Sequence, residues 1–145
     1  HLISKIGFYV HYLQKNPAEI EILFKELLIG VTNFFRDPAV WELLKTIAFP
    51  NMFAELPRGQ ILRAWLPACS TGEEAYSLAI IFKEALEKTK LEKNFTLQIF
   101  ATDLDSGAIE QARTGIYPKN IVSDVTANRM SPVFVKTYKH YSLHL

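Results

Sequence analysis

The sequence predicts an α/β fold in which a helical subdomain (residues 1–50) leads through a linker (51–60) into a part built on an open parallel sheet (61–145). Three observations predict it. Asn16-Pro17 and Asp37-Pro38 each set a cap residue before a proline, and apolar residues then recur at helical spacing. Two apolar runs of strand length, Ile61–Leu66 and Thr96–Thr102, are separated by a helical pattern. Each run ends in a short loop that opens another helix, which is the order of a βαβ unit.

Residues 2–15 carry Ile3, Ile6, Phe8, Val10 and Leu13, a loosely helical period. After Asn16-Pro17, the stripe Ile20, Leu23, Phe24, Leu27 and Leu28 predicts an amphipathic helix ending near Gly30. After Asp37-Pro38, Val40, Trp41, Leu44 and Ile47 predict a second one that stops at Pro50. Between them, Phe34 and Phe35 read as core and Arg36 as a solvated charge. Ile61–Leu66 is apolar almost without interruption, as expected of a strand buried on both faces of a parallel sheet.

The next helix begins near Gly72, where Thr71 with Glu74, and Ser70 with Glu73, have capping-box spacing. Tyr76, Leu78, Ala79, Ile81, Phe82, Ala85 and Leu86 form its sheet-covering face, and Glu84 is expected to pair with Lys88 on the wet side. Residues 88–94 form a polar connection to the second strand. A helix over 106–113, capped by Asp105, ends at Gly115. Residues 124–130 read as a short helix and 138–145 as a strand or hairpin arm. His140 and His144 are four apart, a spacing that suits a metal only on a helix, so no metal site is expected there.

The chemistry follows from the loop Pro67-Ala-Cys-Ser-Thr-Gly-Glu73, at the carboxyl end of a strand where open α/β sheets bind ligands. A helix start suits phosphate, and dinucleotide loops keep it clear with several glycines. Here Gly72 is followed at once by Glu73 and Glu74, which would repel a pyrophosphate and accept hydroxyls, amines or a cation. Asp103 stands at the end of the second strand, thirty residues beyond Glu73, where βαβ units hydrogen-bond a ribose. The pair of sites describes a cofactor with a ribose and without a buried pyrophosphate, and S-adenosylmethionine, whose sulfonium is positive, fits it better than NAD. Cys69 and Ser70 have no activating partner in the sequence, so nucleophilic catalysis is not expected.

Four motifs resemble a known family. Thr32-Asn-Phe-Phe-Arg-Asp-Pro38, Cys69-Ser-Thr-Gly-Glu-Glu-Ala-Tyr-Ser77, Ala101-Thr-Asp-Leu-Asp105 and Ala112-Arg-Thr-Gly-Ile-Tyr117 occur in the order and spacing of the CheR-type chemotaxis receptor methyltransferases. The wording Leu28-Ile-Gly-Val-Thr32, Tyr117-Pro-Lys-Asn-Ile121 and Phe134-Val-Lys136 looks like the branch fused to a CheB-type methylesterase. The resemblance implies the first half of a Rossmann-like class I methyltransferase sheet. It implies S-adenosylmethionine as cofactor, with S-adenosylhomocysteine as product, and glutamates of chemoreceptor cytoplasmic helices as acceptors. Carried over by motif, Thr32 and Arg36 border the cofactor and the transferring methyl group; they join Pro67, Ala68, Glu73 and Asp103 as expected cofactor residues, and the planar fork of Arg36 suits it to orient the acceptor carboxylate as the expected catalytic residue.

The resemblance also implies departures. The stretch after residue 60 is too short for a whole sheet of this kind, and the family's later cofactor blocks are absent, so weak or no cofactor binding is expected of this excerpt. Gly30 stands where some relatives have an asparagine that reaches the cofactor. His1, with no basic-then-apolar leader, reads as the start of an excised domain. Net charge +1 offers no argument for nucleic acid, one cysteine fits a reducing compartment such as the cytoplasm, and no apolar run is long enough to span a bilayer. Two other classes remain open on sequence: a non-catalytic sensory or docking module that keeps the fold, and a nucleotide-dependent oxidoreductase, which the single glycine disfavours.

Overall fold

A computed structural model describes residue 3 and residues 5–28, 30–89 and 95–144. The chain divides into two compact units, His1–Gly30 and Val31–Leu145. In the first, α1 (Ile6–Lys15) and α2 (Pro17–Leu27) meet through the Tyr9 hydroxyl, which donates to Glu19 Oε1 at 3.0 Å. Pro17 takes the first turn as predicted, but the Asn16 side chain does not cap: its amide donates back to the Tyr12 carbonyl at 2.8 Å. Ile20, Phe24 and Leu27 are exposed, so the predicted amphipathic stripe of α2 is present yet largely in water.

The second unit opens with a loop, then α3 (Pro38–Leu43), a π-helical turn (Leu44–Ala48) and α4 (Phe49–Glu55). The predicted stop at Pro50 is corrected, since the helix continues to Glu55. Pro50 falls in the first turn after the π segment, where the backbone ladder changes register, so its missing N–H removes little. Residues 51–55 are thus helical, and the connection to the sheet narrows to 56–60. Phe49 and Phe53 anchor α4 on Phe82, at ring separations of 5.4 and 5.5 Å, and Phe53 stacks on Phe95 at 4.9 Å.

Strands β1 (Ile61–Pro67) and β2 (Thr96–Thr102) pair in parallel from Ile61↔Thr96 to Pro67↔Thr102, joined through α5 (Glu73–Thr89). Residues 90–94, within the predicted polar connection, lie outside the described residues. The expectation of a strand buried on both faces is corrected. Leu62 and Leu66 are buried, whereas Ile61 and Trp65 alternate with them and stand exposed, Trp65 at 68%. The apolar run has the composition of a doubly covered strand, but helix α5 packs over one face only.

Helix α6 (Ser106–Thr114) follows β2. Asp105 caps it as predicted, accepting from the Gly107 amide at 2.8 Å, and Gly115 closes it at φ 60°. Residues 116–144 build a second sheet in which β5 (His140–Leu143) lies between β3 (Ile116–Pro118) and β4 (Phe134–Lys136), all antiparallel. A 3₁₀ turn (Lys119–Ser123) and α7 (Ala127–Val133) connect β3 to β4. The short helix predicted at 124–130 therefore sits three residues later, after the cap position Thr126. The buried core of this unit runs from Phe34 and Trp41 through Ile80, Ile81 and Ala85 to Tyr117 and Phe134.

Candidate functional site

Three loops converge on the first turn of α5. The first is the turn from β1, where Pro67 ends the strand and the chain reverses through Ala68 at φ 57° and Ser70 at φ 47°. Side chains seldom adopt this left-handed region, so the turn is held from outside. The Cys69 amide donates to the Thr102 carbonyl at 3.0 Å, and the Gly72 amide closes the turn on the Cys69 carbonyl at 2.9 Å. Gly72 itself is required: at φ 93°, an added Cβ would lie 2.9 Å from Ala112 Cβ on α6.

Asp103 supplies the second loop. Its Oδ2 accepts from the Ser70 amide at 2.7 Å and its Oδ1 from the Asp105 amide at 2.8 Å. Hydrogen bonds from the Asp105, Ser70 and Leu104 amides outweigh partial burial and hold this carboxyl below the usual carboxylate range. Asp103 is thereby a staple between the two strand-end loops, a role sequence reading did not foresee. An ionised carboxylate has about four acceptor positions, so with three amides bound Asp103 keeps about one for a ligand hydroxyl.

The capping-box expectation is corrected. Instead of a reciprocal Thr71–Glu74 pair, the Thr71 hydroxyl donates to the Glu73 carboxylate, 2.8 Å from Oε1 and 2.7 Å from Oε2. Glu73 is half-buried and Glu74 exposed, so the two adjacent acids face different surroundings.

The third loop carries the Thr32–Asp37 motif. Phe34 and Phe35 are core, as predicted, at 2% and 5% exposure. The Phe35 amide donates to Ser77 Oγ at 3.0 Å, and the Ser77 hydroxyl donates to the Glu73 carbonyl at 2.7 Å. This fixes the motif one turn above Glu73. Phe35 and Asp37 also sit at positive φ, 53° and 57°. Thr32 is half-buried; Arg36 is exposed, and its Nη1 donates to the Val31 carbonyl at 3.3 Å.

A partly buried ion network backs the motif. Arg129 on α7 donates through Nε and Nη2 to the two Glu84 oxygens at 2.6 and 2.9 Å, and Lys45 stands 3.5 Å from Glu84. The Arg129 guanidinium lies 4.3 Å from the Phe35 ring centre. The expected Glu84–Lys88 surface pair is therefore corrected: Glu84 turns inward to partners far away in sequence. Burial alone would raise the Glu84 carboxyl, but the hydrogen bonds and charges of Arg129 and Lys45 prevail and lower it.

Cys69 is buried to 1% exposure. Burial pushes its thiol up, and the charges of Asp103, Glu74 and Glu73 push it further. A thiol so protected is no nucleophile, in agreement with the sequence reading. An apolar hollow of about 300 Å³ lies beside it, lined by Gly72, Ala75, Ile99, Ala101 and Ile109.

The structure thus brings Pro67, Ala68, Glu73 and Asp103 together and ties the Thr32–Arg36 loop to the same helix start. Sequence reading missed Ser77, Tyr117 and Arg129. Ser77 carried one signal, a polar residue within an otherwise apolar helical face. Acceptor-only acids, with no cluster of cations beside them among the described residues, fit a ribose and a sulfonium and do not fit a diphosphate.

Comparison with known proteins agrees. Residues 30–144 match the family "CheR methyltransferase, SAM binding domain". The chain is 33% identical over 134 residues to chemotaxis protein methyltransferase 2 of Pseudomonas aeruginosa, covering 92% of this chain and 45% of that protein. It is 30% identical over 116 residues to the chemotaxis protein methyltransferase of Borreliella burgdorferi, covering 77% and 40%. It is 35% identical over 141 residues to an uncharacterized 104.1 kDa protein of Rhodobacter capsulatus, covering 97% of this chain and 15% of that one. The chain spans less than half the length of these relatives. With the family matched over most of its length and the acidic loops in place, this chain belongs to the CheR methyltransferase SAM-binding domain family.

Proposed function

We propose that the full-length protein transfers a methyl group from S-adenosylmethionine to a glutamate side chain of a chemoreceptor, forming a methyl ester. The observation that carries this reading is the junction at the start of α5, where Asp103 binds the Ser70 amide and Ser77 binds the Phe35 amide. That junction ties the loop bearing Asp103 and the loop bearing Arg36 to the start of α5, the second one turn above Glu73. When bound, the cofactor supplies a methyl group on a positively charged sulfur.

On this reading Glu73 and Asp103 would accept the ribose hydroxyls, with Pro67, Ala68 and Thr32 as the neighbouring cofactor residues. Arg36 presents its planar fork from an exposed loop, a geometry that suits a carboxylate held by two parallel hydrogen bonds. A carboxylate is already a nucleophile at neutral pH, so the protein contributes orientation and exclusion of water rather than a base. Cys69, the one thiol at the site, is kept protonated and stays out of the reaction.

The test is transfer of tritiated methyl groups from the cofactor to receptor-containing membranes by the full-length protein. Label released as methanol by mild alkali supports a glutamate ester. A protein that binds cofactor and labels no receptor is the non-catalytic docking module instead. The protein acts in the cytoplasm on this reading, where receptor helices and cofactor meet; among the described residues no helix is long and apolar enough to cross a membrane. A fused methylesterase domain fits the sequence wording, and the 104.1 kDa relative is large enough to hold further domains.

A further inference from the structure

The second sheet does more than extend the fold, because one residue of it touches two of the loops that meet at α5. Tyr117, on β3, is 1% exposed. Its hydroxyl donates to the Thr71 carbonyl at 2.8 Å, and Thr71 in turn donates its own hydroxyl to the Glu73 carboxylate. Its ring meets Phe34 of the motif loop edge-on, with centres 4.9 Å apart and planes at 77°. Phe134, on β4 of the same sheet, holds the Phe34 ring from another side at 5.4 Å and 84°. Tyr117 is itself fixed by pairing opposite Tyr141 on β5 and by an edge contact to Tyr76 at 6.1 Å.

Resting on the cofactor site proposed above, we infer that Tyr117 is a positioning residue that sets Glu73 for the cofactor ribose through the relay Tyr117 hydroxyl, Thr71, Glu73. The turn between β1 and α5 has two left-handed non-glycine residues and no regular ladder of its own. Its shape depends on outside contacts: Asp103 holds the Ser70 end, and Tyr117 holds the Thr71 end. The aromatic ring and the hydroxyl do separable work. The ring packs the motif loop, and the hydroxyl aims the carboxylate. A carboxylate released from a fixed direction still binds a hydroxyl, but less tightly, since the fixed orientation must then be regained on binding.

The experiment measures S-adenosylhomocysteine binding by titration calorimetry in the full-length protein, for wild type, Tyr117→Phe, Glu73→Gln and the double variant. Tyr117→Phe keeps the ring and is expected to weaken binding roughly fivefold to tenfold, the loss of one hydrogen bond to a part-buried acceptor. In the Glu73→Gln background the same change is expected to weaken binding less than about twofold, because the relay then has no carboxylate to aim. Thr71→Val severs the relay at its next link without altering the second sheet, and is expected to reproduce the loss. Amide hydrogen exchange over residues 68–73 of the cofactor-free protein should accelerate in Tyr117→Phe while exchange in β2 does not.

Weakened binding by Glu73→Gln with wild-type binding by Tyr117→Phe or Thr71→Val overturns this inference and leaves the cofactor site standing. Equal losses from Tyr117→Phe with and without Glu73 overturn it as well, since the tyrosine would then act by another route. Wild-type binding by Glu73→Gln overturns the cofactor site and this inference with it.

Discussion

Replacing Arg129 by methionine tests whether the ion network under the motif loop is structural support or ornament. Methionine keeps most of the apolar stem and removes the guanidinium, its two contacts to Glu84 at 2.6 and 2.9 Å, and its place over the Phe35 ring. The Arg129 and Glu84 side chains are 15% and 29% exposed, so water screens the pair only in part. Charge-assisted hydrogen bonds contribute about 1.5–3 kcal/mol, and a partly desolvated cation–π contact about 0.5–2 kcal/mol. Against these, Lys45 at 3.5 Å remains to accompany Glu84. A net loss of about 2–3 kcal/mol follows, and at roughly 2–4 °C per kcal/mol the melting temperature falls by about 5–10 °C.

The pH dependence has a defined sign. Glu84 is held below its ordinary value of 4.5, so its contribution is present above that value and disappears as pH falls through the folded value. The gap between wild type and Arg129→Met, measured by thermal melting, should be constant from pH 7 to 5 and shrink below pH about 4.5. A gap under about 0.5 kcal/mol at pH 7, the range of an exposed ion pair, would refute the reasoning. So would a gap that does not change on acidification.

Ser77→Ala removes the acceptor of the buried Phe35 amide and should cost about 1–3 kcal/mol; denaturant unfolding checks this, and methyl transfer should fall more than cofactor binding. Asp103→Asn exchanges a charged acceptor of the Ser70 and Asp105 amides for a neutral one. Because the Asp103 carboxyl is held below its ordinary value of 3.8, the loss of stability should be full at pH 7 and fade below that value. Arg36→Ala should abolish most receptor methylation while leaving the melting temperature within about a degree, since exposed positions change stability little; unchanged methylation would remove Arg36 from the site. Cys69 should resist a thiol reagent in the native protein at pH 7 and react promptly in denaturant, as expected of a buried thiol shifted upward.

The βαβ skeleton was legible because its signals are local. Apolar runs, the Asp105 cap and the Gly115 terminator each declare themselves within a few residues, and β1, β2, α5 and α6 formed where those signals lie. The strand-end loops that carry the candidate site residues were legible for the same reason, since strand ends and helix starts fix where such loops lie. What stayed hidden depends on partners distant in the chain. Glu84 looked like a surface charge until Arg129, forty-five residues on, was brought to it. The continuation of the helix past Pro50 required a π turn, which leaves no mark in composition. The exposure of Trp65 could not be read from an apolar run, because cover on a second face is a property of what packs there rather than of the strand.

Among the described residues, the four non-glycine ones with left-handed backbone, Phe35, Asp37, Ala68 and Ser70, lie in the two loops on either side of the α5 start. Their backbone angles run against what each would choose in a free peptide. Short synthetic peptides spanning either loop should therefore give spectra of an open coil. Antibodies raised against such peptides would favour unfolded protein over native. For the same reason, grafting these loops onto another scaffold would transfer their letters without their form.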